Sequence, residues 1–234
     1  MSWIPMNLNR AAWNRQQKLL QRALSHPDEH PEAIELFLSQ HAQVHSARMA
    51  QSDKWSFEDE VWQGLPEQSL RSIPPGGEHS IAWIIWHLTR IEDVSMNLLV
   101  AGSDQLLQRE GWHVRMQINV LDTGNAMSAP LVVQLSSMID LDALRSYRIA
   151  VGRRTCEVVS QLTPYELKQK VDPIRLHQVT IKGAVVDAAR DVLDYWGSRT
   201  IAGLLLMPPT RHCFLHLNEA LRIKQKLVRK NGRE

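Results

Sequence analysis

Apolar residues recur every three to four positions along most of this chain, a period that is typical of amphipathic helices. The longest such run reads SIAWIIWHLTRIEDVSMNLLVAG. Because Ser80 is a suitable N-cap and Gly102 a suitable stop, the pattern predicts a helix over residues 80–101. Its apolar stripe holds Ile84, His87, Ile91, Val94 and Leu98.

Prolines and glycines divide the rest of the chain into further helical segments. The pattern predicts helices at about residues 8–24, 31–51, 141–162 and 210–230. Thr163 begins a short helix with a capping-box pattern. Residues 103–140 are predicted to be irregular and to form a rim or lid, with a tight turn at Gly124 and Asn125 and the start of a short helix at Ser128 and Pro130. The sequence therefore predicts an all-α fold. We expect one domain over residues 1–234, with residues 1–30 as an N-terminal helical extension.

Composition narrows the class of protein. The chain has 234 residues with an apolar fraction of 44%, enough for a sizeable core. Its 27 basic and 25 acidic residues lack the basic excess of a nucleic-acid binder. Since no run resembles a secretory signal or a membrane span, we expect a cytoplasmic protein that binds neither membrane nor nucleic acid. Cys156 and Cys213 are too few for a disulfide framework and are predicted to be reduced structural thiols.

Two histidine pairs have the spacing that lets one helical face hold a metal ion. His212 and His216 are four residues apart in HCFLH, and His41 and His45 are four apart in HAQVH. Random placement of ten histidines would yield about 0.4 such pairs. Spacing alone therefore does not decide which pair, if either, binds metal, and a third ligand is needed.

Several other residues are candidates for the same chemistry. His87 falls on the apolar stripe of its helix, so its ring must be hydrogen-bonded or bound to a metal. Glu219, one turn beyond His216, is a candidate hydrogen-bond acceptor or general base, or else a solvated carboxylate. HCFLH lacks the glutamate of the HExxH metalloprotease motif. Cys213 points about 100° away from its neighbour His212, which argues against it as a ligand.

The predicted helix over residues 141–162 carries a basic face. Its arginines are Arg145, Arg148, Arg153 and Arg154. We expect these side chains to be solvated. The alternative is that one or two of them reach a pocket and hold an anionic substrate or thiol cofactor.

Three segments together carry a family resemblance: SIAWIIWHLTRIEDVSMNLL, LDTGNAMS and MPPTRHCFLHLNEALRIK. Over about residues 31–228 the chain resembles the DinB/YfiT-like superfamily of metal-dependent proteins. The resemblance implies a four-helix bundle core and a divalent metal held by His87, His212 and His216. The N-terminal helix and the long inserts between the core helices depart from the minimal family pattern.

The resemblance also implies a function. Three imidazoles leave a coordination position open for water or a thiol, and relatives include transferases that use bacillithiol, mycothiol or glutathione. We expect a metal-dependent enzyme acting on a small molecule, with thiol-dependent transfer first and hydrolysis second. Zinc or nickel is the expected metal and a low-molecular-weight thiol the expected cofactor.

Some alternatives stay open at this point. His45 is a fourth candidate at the site, as proton shuttle or substitute ligand. The competing function is a non-catalytic metal-binding or stress-response protein, in which a structural zinc would normally have four protein ligands. A homodimer is a further candidate state, although the apolar segment TIAGLLLM is more typical of a buried helix.

Overall fold

The computed structural model describes the backbone of residues 6–231 and the side chains of residues 9–229. Residues 1–5 of the predicted N-terminal extension lie outside this range. The α-helices are Met6–Ala23 (α1), His30–Gln43 (α2), Phe57–Trp62 (α3), Glu67–Arg71 (α4), Ile81–Asp93 (α5), Leu106–Arg109 (α6), Trp112–Arg115 (α7), Ala129–Met138 (α8), Leu141–Gln161 (α9), Pro164–Lys168 (α10), Pro173–Ile181 (α11), Arg190–Gly197 (α12), Ile201–Leu205 (α13) and Cys213–Asn231 (α14).

Two π-helical segments, Val94–Ala101 and Met207–His212, and two 3₁₀ turns, Pro27–Glu29 and Asp187–Ala189, complete the helical elements. The described residues contain no strand beyond one isolated bridge, so the predicted all-α fold is confirmed. No helix within the described range is both long enough and apolar enough to cross a membrane.

Helix α5 is the central element. It begins as predicted, because the Ser80 hydroxyl accepts a hydrogen bond from the Trp83 amide. Every residue of α5 is buried, as expected for a helix that is apolar on most of its surface. The π segment extends α5 to Gly102, whose φ of 65° gives a left-handed stop. The predicted helix over residues 80–101 is therefore present, with a widened second half.

The other long helices pack around α5. Helices α9 and α14 lie against α5, while α2 lies against α1 and α9. One apolar cluster joins α5, α9 and α14, and a second lies under α1, α2 and the first π segment. Trp13 of α1 stacks on Phe214 of α14 with ring centroids 3.9 Å apart. The four-helix bundle and the single domain stay predictions.

Helix α2 is shorter than predicted. It ends at Gln43 instead of continuing to about residue 51. The backbone amides of Ser46 and Ala47 instead donate to the carboxylates of Glu58 and Asp59 on α3, at 3.1 and 2.7 Å. Because distant side chains satisfy these amides, the chain leaves the helix there.

Two further predictions need correction. Residues 103–140 are less irregular than predicted. The short helix expected at Ser128 is present as α8, but α6 and α7 were not predicted. The buried carboxylate of Asp93 accepts hydrogen bonds from the amides of Leu106 and Leu107, which open α6. The last helix begins at Cys213, after the π segment that holds both prolines. Helix α9 and the capping box at Thr163 are confirmed.

Candidate metal centre

Three imidazole rings meet between α5 and the start of α14. His87 comes from α5, His212 is the last residue of the second π segment, and His216 lies in the first turn of α14. Their candidate ligand atoms all lie within 4.8 Å of one another. The ring centroids are 5.2 Å apart for His87 and His212, 5.1 Å for His87 and His216, and 4.5 Å for His212 and His216. The structure thus brings together the three predicted ligands.

Hydrogen bonds fix the orientation of two of these rings. Nδ1 of His87 lies 2.6 Å from the Thr123 carbonyl oxygen, and Nδ1 of His216 lies 3.0 Å from Glu219 Oε2. Carbonyl and carboxylate oxygens only accept, so each Nδ1 carries the proton. In its neutral form, a ring protonated at Nδ1 keeps the lone pair of Nε2 free for a metal ion, a common arrangement in which carbonyls and carboxylates orient metal-bound histidines.

The electrostatics of the site favour neutral rings. Burial, and after it the charge of His216, lowers the pKa of His87 to about 3. Burial together with His87 and His216 holds the pKa of His212 well below its usual range. Neutral imidazole is the form that binds metals.

The residues present fit a divalent cation. Nδ1 of His212 is buried and has no hydrogen-bond partner on the protein, although buried ring nitrogens normally have one. An unpartnered nitrogen beside two oriented imidazoles suits a bound cation better than an ordinary core. Three nitrogen donors match the preference of zinc, nickel and similar metals.

Glu219 is held beside the site by two histidines. It contacts Nδ1 of His216 and, at 3.5 Å, Nδ1 of His79. These two hydrogen bonds lower the pKa of Glu219 to about 2, so the carboxylate is a constant acceptor at neutral pH. Of the predicted roles, the geometry matches the orienting acceptor. His79 also stacks on Trp83, which stacks in turn on His87.

A cavity beside His212 gives the site access to solvent. It has a volume of about 270 Å³, and its lining includes His212, Asn125 and Asp191. Tyr195 and Met207 line both this cavity and a neighbouring groove of about 650 Å³. That groove, termed the basic groove below, contains three cations and no carboxylate among its lining residues: Lys18, Arg199 and Arg211.

The other histidine pair forms a second cluster with Glu92. Nε2 of His41 lies 2.7 Å from Glu92 Oε1, and Nε2 of His45 lies 2.9 Å from Oε2. Arg148 donates to the same carboxylate at 2.9 Å and Thr155 at 2.8 Å. All three potential ligands are fully buried. The structure therefore places His45 with Glu92 and not among the three histidines, and its catalytic role stays a prediction.

Charges within the second cluster are paired. Burial alone would raise the pKa of Glu92, but His45 and His41 hold it well below its usual range. Burial would lower the pKa of His41, but Glu92 and a hydrogen bond with Cys156 raise it to about 9. Burial and then the charge of Arg148 lower the pKa of His45 to about 3. His41 is thus the cationic member of the histidine pair.

Arg148 corrects the expectation of a solvated arginine face on α9. Its side chain is fully buried and bridges Glu58, at 3.1 Å, and Glu92. It also donates to the Val44 carbonyl, beyond the end of α2. Arg153 conforms to the expectation, being exposed. The helical pattern did not separate the two, because only the approach of α2 and α3 buries one side of α9.

Sequence reasoning identified Glu219 as an acceptor beside the ligands but missed Thr123, His79 and Glu92. Thr123 presents its carbonyl to His87 from the turn in LDTGNAMS, where Gly124 has a φ of 79°. A Cβ at Gly124 would lie 2.6 Å from the Trp86 ring, so the turn needs glycine to pass this close to α5. The predicted tight turn at Gly124 and Asn125 was the available signal. His79 and Glu92 had none beyond residue type.

The fold and this geometry define a helical protein with a candidate three-histidine metal centre. Residues 55–190, more than half of the chain, match the DinB superfamily. The chain belongs to that superfamily, which confirms the resemblance. The match includes His87 and Thr123, whereas His212 and His216 lie beyond its end. A search of curated proteins finds no match.

Proposed function

We propose that this protein is a metal-dependent enzyme in which His87, His212 and His216 hold a divalent metal ion, zinc or nickel. The observation that carries the proposal is the convergence of three imidazoles from α5, the second π segment and α14, two of them oriented through Nδ1. A metal bound in this way lowers the pKa of a coordinated thiol or water and polarises a substrate as a Lewis acid.

The chain's own residues prepare the site for this ion. Thr123 and Glu219 orient two of the rings through their Nδ1 protons. His79 donates to the other oxygen of Glu219 and so steadies the carboxylate. His212 faces the cavity through which a small molecule would enter.

For the reaction we propose transfer to a low-molecular-weight thiol. The basic groove supports this choice, because Lys18, Arg199 and Arg211 suit the carboxylates of such a thiol. The groove meets the His212 cavity at Tyr195 and Met207, so a thiol seated in the groove would extend its sulfur towards the histidines.

Two alternatives remain as outcomes of the experiments. Hydrolysis would use the same ligands with water in place of a thiol. A non-catalytic structural site would normally have four protein ligands, whereas the candidate group holds three among the described residues. A group of three protein ligands would leave a coordination position open, which supports the enzyme over the structural protein.

The first experiment is elemental analysis of untagged protein purified without chelator. We expect close to stoichiometric zinc or nickel in the wild type and its loss in His216→Ala, with an unchanged helical circular dichroism spectrum. His177→Ala is the matched control, because His177 is exposed and belongs to neither histidine group. Unchanged metal content in His216→Ala would contradict the assignment.

The second experiment is a thiol-transfer screen with several electrophiles and the three thiols named above. Arg199→Ala should raise KM for the thiol about tenfold, the size of one charge-assisted hydrogen bond, with kcat nearly unchanged. Lys168→Ala, which removes an exposed cation on α10, should have no effect. Metal-dependent turnover without any thiol would favour hydrolysis, and metal binding without any turnover would favour the non-catalytic protein.

A further inference from the structure

A cysteine completes the second cluster and changes what that cluster can do. Sγ of Cys156 on α9 lies 3.6 Å from Nδ1 of His41, whose Nε2 lies 2.7 Å from Glu92. Thiol, imidazole and carboxylate therefore follow one another in a line. We propose that Cys156, His41 and Glu92 form a nucleophilic thiol site, separate from the three histidines, that reacts with low-molecular-weight disulfides and similar small soft electrophiles.

The arrangement has the parts that an activated cysteine needs. One ring nitrogen of His41 contacts the sulfur and the other contacts the carboxylate, so Glu92 fixes the ring with Nδ1 directed at the thiol. Thr155 and Arg148 hold Glu92 in turn. Glu92 thus acts as a positioning residue, and His41 is the group in contact with the reacting atom.

The groups around His41 make its ring a cation that lies beside the Cys156 sulfur. From α5 Glu92 faces the ring, and from α2 His45 lies beside it with ring centroids 4.1 Å apart. On α9, Cys156 contacts the His41 ring, and Arg148 lies on the other side of Glu92. Sγ of Cys213, on α14, lies 3.7 Å from Glu92 Oε2. His41, with its pKa near 9, is an imidazolium at neutral pH. A cation beside a cysteine stabilises the thiolate, which is the nucleophile.

Cys156 is also the cysteine that a reagent can reach. Its side chain is partly exposed, whereas Cys213 is buried. Its neighbours one turn before and after on the surface of α9, Arg153 and Ser160, are exposed, as is Glu157. A small disulfide therefore has an approach to Cys156 from solvent.

The reaction balances without any further oxidant. The Cys156 thiol loses its proton to solvent, and the thiolate sulfur attacks one sulfur of the disulfide. The original S–S bond breaks as the mixed disulfide forms. The other half leaves as a thiolate and takes a proton from solvent.

A reactivity comparison on the wild-type protein tests this without any mutation. Iodoacetamide and oxidised glutathione are the probes, and mass spectrometry reads the adduct at each cysteine in folded protein and in protein unfolded in urea. Because partial burial slows a passive thiol, activation predicts that Cys156 reacts about tenfold faster in the folded protein than in the unfolded chain. Cys213 should be protected in the folded protein. Slower reaction of Cys156 in the folded state would overturn the proposal.

Variants assign the effect to the imidazole. His41→Gln keeps a polar side chain beside Glu92, and in folded protein it should slow Cys156 alkylation about tenfold at neutral pH and move the rate–pH profile towards that of an ordinary thiol. His177→Gln is the control and should behave as the wild type. An unchanged profile in folded His41→Gln would overturn the proposal. Cys156→Ser should abolish the adduct while metal content stays intact, so this test and that of the metal centre can fail separately.

Discussion

The two histidine clusters start from the same pattern and reach opposite states. Each combines a pair spaced by four residues with a third residue from α5, and the two α5 residues, His87 and Glu92, are only five positions apart. In the first cluster the third residue is another imidazole, and the site borders a cavity. In the second it is a carboxylate, fully buried and already paired with histidine and arginine.

The two clusters differ in the charges and hydrogen bonds of their members. Both oxygens of Glu92 accept hydrogen bonds from the protein, so this cluster is a network of paired charges. The three-histidine cluster has no carboxylate among its members. Each cluster keeps one buried ring nitrogen without a hydrogen-bond partner, Nδ1 of His212 in the first and Nδ1 of His45 in the second. Identical spacing therefore yields a buried ionic network in one place and a candidate metal centre in the other.

The largest expected effect is a loss of stability on substitution in the second cluster, with a much smaller loss in the first. Glu92→Leu leaves the Arg148 and His41 charges buried without their partner, which should lower the free energy of unfolding by about 3–5 kcal/mol. His216→Ala strands no buried charge and should cost about 1 kcal/mol or less in metal-free protein. Urea unfolding followed by circular dichroism measures both. Equal losses would mean that the clusters do not differ in this way.

The pH dependence of stability should show a limb from each cluster in metal-free protein. The pKa of His41 is raised from 6.5 to about 9, so its contribution is complete below pH 6.5 and is lost as the pH rises towards 9, with a slope of at most about 1.4 kcal/mol per pH unit. The pKa of His87 is lowered to about 3, so stability falls as the pH drops below 6.5. His45, with a pKa also near 3, adds to this acid limb.

Urea midpoints measured from pH 5 to pH 9 check these signs. The His41→Gln variant should lose the alkaline limb and keep the acid limb. His87→Gln should weaken the acid limb and keep the alkaline one. Retention of the full alkaline limb in His41→Gln would show that another group titrates there.

The smallest expected effect probes packing at the second cluster alone. A Cβ at Gly152 would lie 2.6 Å from Nδ1 of His45 and 2.9 Å from Met49. Gly152→Ala should therefore destabilise the protein by about 1–3 kcal/mol through overpacking, while metal content stays at the wild-type level. Gly183→Ala, at a glycine with open space around its Cβ position but a φ of 62°, measures backbone strain alone. Metal loss in Gly152→Ala would mean that the two clusters are coupled.

Local signals predicted much of this protein. The helix period together with the caps at Ser80, Gly102 and Thr163 located α5, α9 and α10, because capping is satisfied by residues close in sequence. The end of α2 was not predicted because Glu58 and Asp59, on another helix, accept hydrogen bonds from the amides of Ser46 and Ala47 just beyond it. The burial of Arg148 escaped for the same reason, as its partners come from α3 and α5.

The sequence by itself determined the helical class, the family and the three histidines that face one another. It offered two histidine pairs of equal spacing, and only the family resemblance favoured His212 and His216. The tertiary structure alone decided which charges and hydrogen bonds surround each pair, because those partners are distant in sequence. Thr123 and Glu219 orient the rings of His87 and His216 at one cluster, whereas Glu92 lies between a cationic His41 and Arg148 at the other. Cys156 joined that second cluster only when α9 packed against α2.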